Sequence, residues 1–327
     1  MPQPDPGKRR QDVKLRGEIP SLRERPTRLR VPHALPLHAA GWSGRANQDW
    51  ARLVIEMRTD HGLASLGETL GGAVTKSLID PEIADTFRGE DPFDLDRILA
   101  KATFVPLYHG KKGSCAIAGL ELACWDLMGK ATGRPVCQLL GGRLRDEIPF
   151  ANHLHYRNPD ASGRHGMVGQ DQMLAYAEAV KRRYGFTAIK LQGRTVPGRG
   201  RGRHAAQPTR CFPGRQAALR PARHQHVRID LETLAAGVRL GSVDVVLGGV
   251  CEWGGLTVMK KLQEVCEVFQ INLNFHSVGG LGIATAAYLQ IAAAQPALSH
   301  ALDTHVLHLS GDVPGAIGLT ERVVAGN

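Results

Sequence analysis

Between Ala51 and Glu68 the chain alternates apolar and polar positions, through Leu53-Val54-Ile55-Glu56-Met57 and again through Leu63-Ala64-Ser65-Leu66. Period-two alternation predicts two strands, and Asp60-His61-Gly62 between them has the chemistry of a hairpin turn. Asp91-Pro92-Phe93-Asp94 predicts a helix start, with proline and acidic groups in the first turn. The period then becomes helical from about Ser114 to Ala131. Ile117, Leu120, Leu122, Ala123, Trp125, Leu127 and Met128 cover most faces of this helix, which predicts burial between two layers. Gly133 and Pro135 end it. A short helix through Val136 to Leu140 stops at Gly141-Gly142, and Arg143 to Asp146 reads as a charged linker.

A different rhythm follows. A strand starts at Ile148-Pro149-Phe150-Ala151, an amphipathic helix runs from Met173 to Arg183, and a second strand crosses Phe186 to Leu191. Strand, helix, strand is one turn of a parallel α/β fold. Lys190 and Gln192 share one face of that second strand, as polar groups do at the mouth of a (β/α) barrel; an edge strand with an exposed lysine is the competing reading. The pattern then fails. Arg194 to Arg228 holds nine arginines, no acidic residue and no apolar period. It reads as a disordered basic insert or as GC-rich coding sequence out of frame. From Ser242 the rhythm resumes. Strands are expected at 243–248, 271–277 and 300–305, and helices at 256–269 and 282–294. The strands end in glycine, in His276-Ser277 and in Asp303-Thr304-His305, as barrel strands end at a catalytic face. The expected architecture is α/β: a basic tail at 1–30, an α+β cap domain at 31–146, and a (β/α) TIM-type barrel at 147–327. The aperiodic stretch leaves that barrel incomplete, with two or three strands missing or scrambled.

Composition changes this picture little. Of 327 residues, 43% are hydrophobic and 22% charged, the proportions of a globular domain. No run of about 18 apolar residues predicts a membrane span, and the basic N-terminus has no signal-peptide core. Six scattered cysteines without paired spacing predict reduced thiols and a cytoplasmic location. The net charge of +10 raises nucleic-acid binding. The excess gathers in the tail and in the Arg-rich stretch, where Arg-Gly-Arg-Gly-Arg at 199–203 is interleaved with no aromatic residue except Phe212, so nucleic acid is not the expected partner.

Several motifs agree in order with one family. The hairpin Thr59-Asp60-His61-Gly62-Leu63 with Gly67-Glu68, the helix Ala118 to Asp126, and Gly133-Arg134-Pro135-Val136 with Leu139-Leu140-Gly141-Gly142 resemble the enolase superfamily. The Lys-x-Gln strand and Phe275-His276-Ser277 resemble its mandelate-racemase-like branch. Trp253, Gly255 and Ala301-Leu302-Asp303-Thr304-His305 resemble glucarate dehydratase and related acid-sugar dehydratases. The resemblance implies a cap over a barrel and a Mg2+ ion that holds the carboxylate of an acid-sugar substrate. It also implies a base that removes the neighbouring proton, and loss of a hydroxyl from the enediolate. It makes Lys190 and His276 the catalytic candidates and Lys190, Ser277 and His305 the substrate-binding candidates.

The same resemblance shows departures. Gln192 stands where a second lysine acts as base, and an amide cannot take that proton. Gly249 stands where an aspartate would orient His276, so His276 is expected to lack a carboxylate partner. Val278 replaces a polar contact. No carboxylate matches a metal-ligand position: Asp230 and Glu232 do not align, and Asp244 is expected inside a buried strand with a structural role. Read without the family, His276 and His305 are rim histidines, Glu121 and Asp126 are structural, and Trp253 is packing. A magnesium-dependent acid-sugar dehydratase and a catalytically inactive relative are therefore both carried forward. A barrel short of strands exposes unpaired edges, so self-association, including a homo-oligomer that covers the gap, is expected. Size-exclusion chromatography checks this: elution as oligomer or aggregate is the expected outcome, and a cooperatively melting monomer counts against it.

Overall fold

The structure is a computed structural model, and it describes residues 28–38, 46–103, 110–154, 167, 169–186, 188–191, 224–225, 231–277, 279–298 and 300–305. The first part is an antiparallel sheet backed by helices. Strands β1 (Arg28–His38), β2 (Ala46–Arg58) and β3 (Ala64–Leu70) pair in that order. The expected hairpin is β2–β3, with Arg58 opposite Ala64 across the turn. Strand β1 was not legible in the apolar pattern; it begins inside the stretch read as a basic tail. Helices α1 (Ala73–Leu78), α2 (Leu95–Thr103), α3 (Gly110–Thr132) and α4 (Val136–Leu139) follow. Asp91 starts the second of these as expected: its carboxylate accepts the Phe93 N–H at 2.9 Å ahead of a 3-10 turn at Pro92–Asp94.

The second part is built of parallel βα units: β4 (Phe150–Leu154), α5 (Gln170–Tyr184), β5 (Ala188–Leu191), β6 (His224–Gln225), α6 (Leu231–Arg239), β7 (Val245–Gly248), α7 (Val250–Trp253), α8 (Leu256–Val268), β8 (Asn272–Phe275), α9 (Gly282–Ala294) and β9 (Leu302–Thr304). The described strands form two parallel sheets, ordered β5-β4-β9 and β6-β7-β8. The last strand, β9, pairs with the first, β4, with Ala151 opposite Asp303. Pairing of the last described strand with the first of this part is the adjacency a (β/α) barrel requires. One expectation changes within the Arg-rich stretch, because His224 and Gln225 form a two-residue strand beside Val245 and Val246 of β7. The rest of that stretch lies outside the described residues.

Helix α3 is buried nearly continuously from Gly113 to Cys124, and it lies between two cores as its pattern predicts. Leu120, Ala123 and Leu127 pack in the cap core with Ile55, Met57, Phe87 and Ile98. Leu122 packs instead in the barrel core with Val246, Trp253, Leu256, Leu273 and Phe275. Each fully buried leucine contributes about 2 kcal/mol from removed apolar surface. Sheet and helix approach closely only because Gly67 and Gly119 face each other; a Cβ on either would overlap the opposing element.

Two buried glutamates fasten cap to barrel. Glu121 on α3 accepts the N–H groups of Leu256 at 3.0 Å and Thr257 at 2.8 Å, with the Thr257 hydroxyl at 2.7 Å and Trp125 Nε1 at 2.7 Å. It therefore supplies the N-terminal cap of α8 from a different domain. Glu68 on β3 does the same for α9, accepting Leu281 N–H at 2.8 Å and Ala284 N–H at 2.9 Å. Burial pushes the Glu121 carboxyl up, and the four donors oppose that shift. The structural reading of Glu121 is thus given a specific content, and Asp126 likewise accepts the Leu66 N–H at 3.0 Å.

Gly255, ahead of α8, has φ +113°, and a Cβ there would overlap the Glu121 carboxylate. Gly255→Ala is expected to lower unfolding stability by about 2 kcal/mol or more, since backbone strain adds to the displaced cap. Urea denaturation followed by circular dichroism measures it.

Candidate active site

Alternation along the strands puts Lys190, His153 and Asp303 on one face of the β5-β4-β9 sheet, because Lys190 sits opposite His153 and Asp303 opposite Ala151. Asp303 is the centre. Its side chain is 1% exposed, and the Lys190 ammonium donates to Oδ2 at 2.5 Å. His276 Nδ1 lies 2.8 Å from the same oxygen and 3.0 Å from the lysine nitrogen. The Ser277 N–H donates to the other oxygen, Oδ1, at 2.6 Å, and His153 Nδ1 stands 3.9 Å from Oδ2.

Burial alone would push Asp303 up; the Lys190 ammonium and the hydrogen-bonded imidazole hold its carboxyl well below the usual carboxylate range. Burial, and then the Lys190 charge, push His276 below the usual imidazole value, against the pull of Asp303. His276 is therefore neutral near neutral pH. A neutral imidazole beside a carboxylate carries its proton on the nitrogen facing it. Toward Asp303 that nitrogen is Nδ1, but the Lys190 ammonium 3.0 Å away can only donate to it, which requires it unprotonated; the two contacts belong to different tautomers.

His305 forms a second pair. The Ser277 Oγ lies 2.6 Å from His305 Nδ1, and the Gly279 N–H donates to that nitrogen at 3.3 Å. A nitrogen that accepts a backbone N–H is unprotonated, so the serine hydroxyl donates and neutral His305 keeps its proton on Nε2. His153 packs edge-on against His305, with ring centroids 4.3 Å apart. Tyr288 steadies the end of β8. Its hydroxyl donates to the His276 carbonyl at 2.5 Å and accepts the Val250 N–H at 3.0 Å.

All four residues expected from sequence, Lys190, His276, Ser277 and His305, meet in one network. One expectation is corrected: His276 has a carboxylate partner. It comes from β9, as Asp303, rather than from the turn after β7. Asp303 and His153 were missed as site residues. The signal for Asp303 was the two-residue spacing to His305, which puts both on one face of a strand. At Gly249 a Cβ would meet Glu252 Oε2 at 2.8 Å, so the carboxylate of Glu252 fills that space. Glu252 is ion-paired to Lys111 at the start of α3. Cys251 is buried and its thiol is pushed up by burial, which leaves it inert. Trp253 is packing, as expected. A cavity of about 380 Å³ between α2 and α8, lined by Phe93, Arg97, Trp125 and Lys260, shares no residue with this network.

The donor set does not fit a magnesium ion. Among the described residues no group of three His, Cys, Asp or Glu side chains could hold a metal. The Asp303 carboxylate is engaged at both oxygens. Asp244 is exposed and precedes β7, at the end of the strand away from His276, which corrects its expected place inside a buried strand. Gln192, Val278, Asp230 and the Glu232 side chain lie outside the described residues.

Comparison with known proteins places this geometry in a family. Residues 25–141 match the family model for the mandelate racemase / muconate lactonizing enzyme N-terminal domain, and residues 225–324 match that for the enolase C-terminal domain-like family. A "Probable glucarate dehydratase" of Streptomyces coelicolor is 29% identical over 340 residues, covering 83% of this chain and 78% of that protein. An enolase from Thermobispora bispora, solved with magnesium and formate, superposes with a TM-score of 0.72 at 27% identity, over 87% of this chain and 82% of that one. An isomerase from Streptomyces coelicolor gives a TM-score of 0.67 at 28% identity, over 92% and 90%. With a cap domain over a TIM-type barrel, the chain belongs to the enolase superfamily, in its mandelate racemase-like branch, and resembles glucarate dehydratase.

Proposed function

We propose that the chain is a glucarate dehydratase-like protein that binds an acid-sugar carboxylate at Lys190 and moves a proton through His276. The observation that carries this reading is the Lys190–His276–Asp303 cluster at the strand ends. An ammonium has three donors, and Lys190 directs two of them at Asp303 and His276, leaving the third for a substrate carboxylate. Asp303 orients the imidazole, and in the tautomer with the proton on Nδ1 toward this carboxylate Nε2 can accept a proton from the carbon next to the substrate carboxylate. His305, with its proton on Nε2, supports binding by donating to a substrate hydroxyl or carboxylate.

Magnesium, present in the Thermobispora relative, would supply positive charge against the developing enediolate. The described residues do not provide its ligands, and the roles of Lys190 and His276 do not pass through it. That same mismatch, with Gln192 in place of a second lysine, favours the second reading: a relative that keeps the binding cluster and has lost turnover.

Glucarate in deuterated, magnesium-containing buffer separates the two readings. On the first, its proton next to the carboxylate exchanges by NMR, and His276→Asn slows exchange by about 100-fold or more. Binding by calorimetry without exchange selects the inactive relative. No binding overturns both.

The protonation states also predict a pH profile. Asp303 is depressed, so its contribution to stability is present above the ordinary carboxylate range and is lost as pH falls through its folded value. His276 is depressed too, so the unfolded chain takes up that proton first, and stability falls as pH drops below about 6.5. Urea midpoints are expected to decline in acid from that pH downward, and His276→Asn is expected to remove the first part of the decline.

A further inference from the structure

Two side chains of the cap grip the loop that carries Ser277. Arg52 on β2 is 4% exposed and donates through Nε to the Gly279 carbonyl at 3.0 Å. Its Nε lies 3.5 Å from Oε1 of Glu68, which is fully buried. Glu68 in turn holds the Leu281 N–H at 2.8 Å and the Ala284 N–H at 2.9 Å. Gly279 and Leu281 are therefore tied to the cap, the one through its carbonyl and the other through its N–H. On its other side it meets His305, where the Gly279 N–H reaches Nδ1 at 3.3 Å and the Ser277 Oγ lies at 2.6 Å. A buried guanidinium and a buried carboxylate are costly to desolvate and hold only in good geometry with further hydrogen bonds. Here those further bonds are the loop's own peptide groups.

We propose that Arg52 and Glu68 are positioning residues for His305. With the cap docked they fix the backbone at Gly279 and Leu281, so that the Gly279 N–H and the Ser277 hydroxyl both reach Nδ1 and the imidazole is held as the tautomer with its proton on Nε2. Arg52 acts through the Gly279 carbonyl, and Glu68 through Arg52 and the Leu281 and Ala284 N–H groups. The seating of the cap and the hydrogen-bonding character of the site thereby become one event. What the Nε2–H of His305 does for a bound acid sugar rests on the function proposed above; the tautomer itself does not.

Glu121 supplies the control. It too is a buried cap carboxylate that caps a barrel helix, but that helix is α8, which carries no residue of the network. The test is 15N NMR of histidine-labelled protein in its full-length form, with folding verified by circular dichroism. In the wild type, His305 is expected to show an unprotonated Nδ1 and a protonated Nε2. Glu68→Gln and Arg52→Met are expected to shift it toward a mixture of tautomers, and Arg52→Lys, which keeps a charged donor, to restore the wild-type pattern. Glu121→Gln is expected to leave it unchanged. The proposal is overturned if wild-type His305 carries its proton on Nδ1, if folded Glu68→Gln and Arg52→Met leave the pattern unaltered, or if Glu121→Gln moves it as far. A failed glucarate exchange with the tautomer shifts intact would remove the proposed function and leave this relay standing.

Discussion

The structure depends on two carboxylates that leave water to cap helices in another domain. A helix begins with N–H groups that have no partner of their own. In α8 and α9 those groups are buried under the cap, so the barrel alone cannot satisfy them. Glu121 and Glu68 reach down and do so. The exchange is reciprocal, because a buried carboxylate is itself costly without donors. Neither domain satisfies its polar groups at the seam without the other, which makes cap docking specific in position as well as favourable in energy. Gly255 follows from the same constraint, since no side chain fits between the α8 start and Glu121.

A similar exchange organises the site. Asp303 is nearly inaccessible to water, and its charge is held by Lys190, by the imidazole of His276 and by the Ser277 N–H. The cluster fixes the protonation of two of its members together: an ionised aspartate and a neutral imidazole. Cap and site then share one loop. Gly279 and Leu281 meet Arg52 and Glu68 on one side, and Ser277 and Gly279 meet His305 on the other. A displacement of the cap cannot leave the histidine untouched.

How much of this was legible beforehand differs by element. The β2–β3 hairpin, α3 and the resumed strand–helix rhythm after Ser242 were readable because their apolar periods are long and regular. Strand β1 was not, because Arg28–His38 mixes prolines and arginines with its apolar residues and is placed only by pairing with β2. Strand β6 was not, because two residues carry no period. Lys190, His276, Ser277 and His305 were found through motif resemblance. Asp303 was seen as part of a motif but not as the partner of His276. The aspartate was sought on the strand preceding His276, and the structure supplies it from the following one.

The chain by itself therefore determined its elements, its family and the side chains that carry charge at the strand ends, because these depend on local period and local motif. Tertiary structure decided which of those side chains meet. Pairing of β9 with β4 brings Asp303 beside Lys190, although 113 residues separate them. Docking of the cap turns Glu68 and Glu121 from two acidic residues in apolar surroundings into the caps of barrel helices. Both outcomes rest on contacts between distant segments, where burial makes an unpaired polar group too costly to leave and the nearest partner in space is far away in sequence.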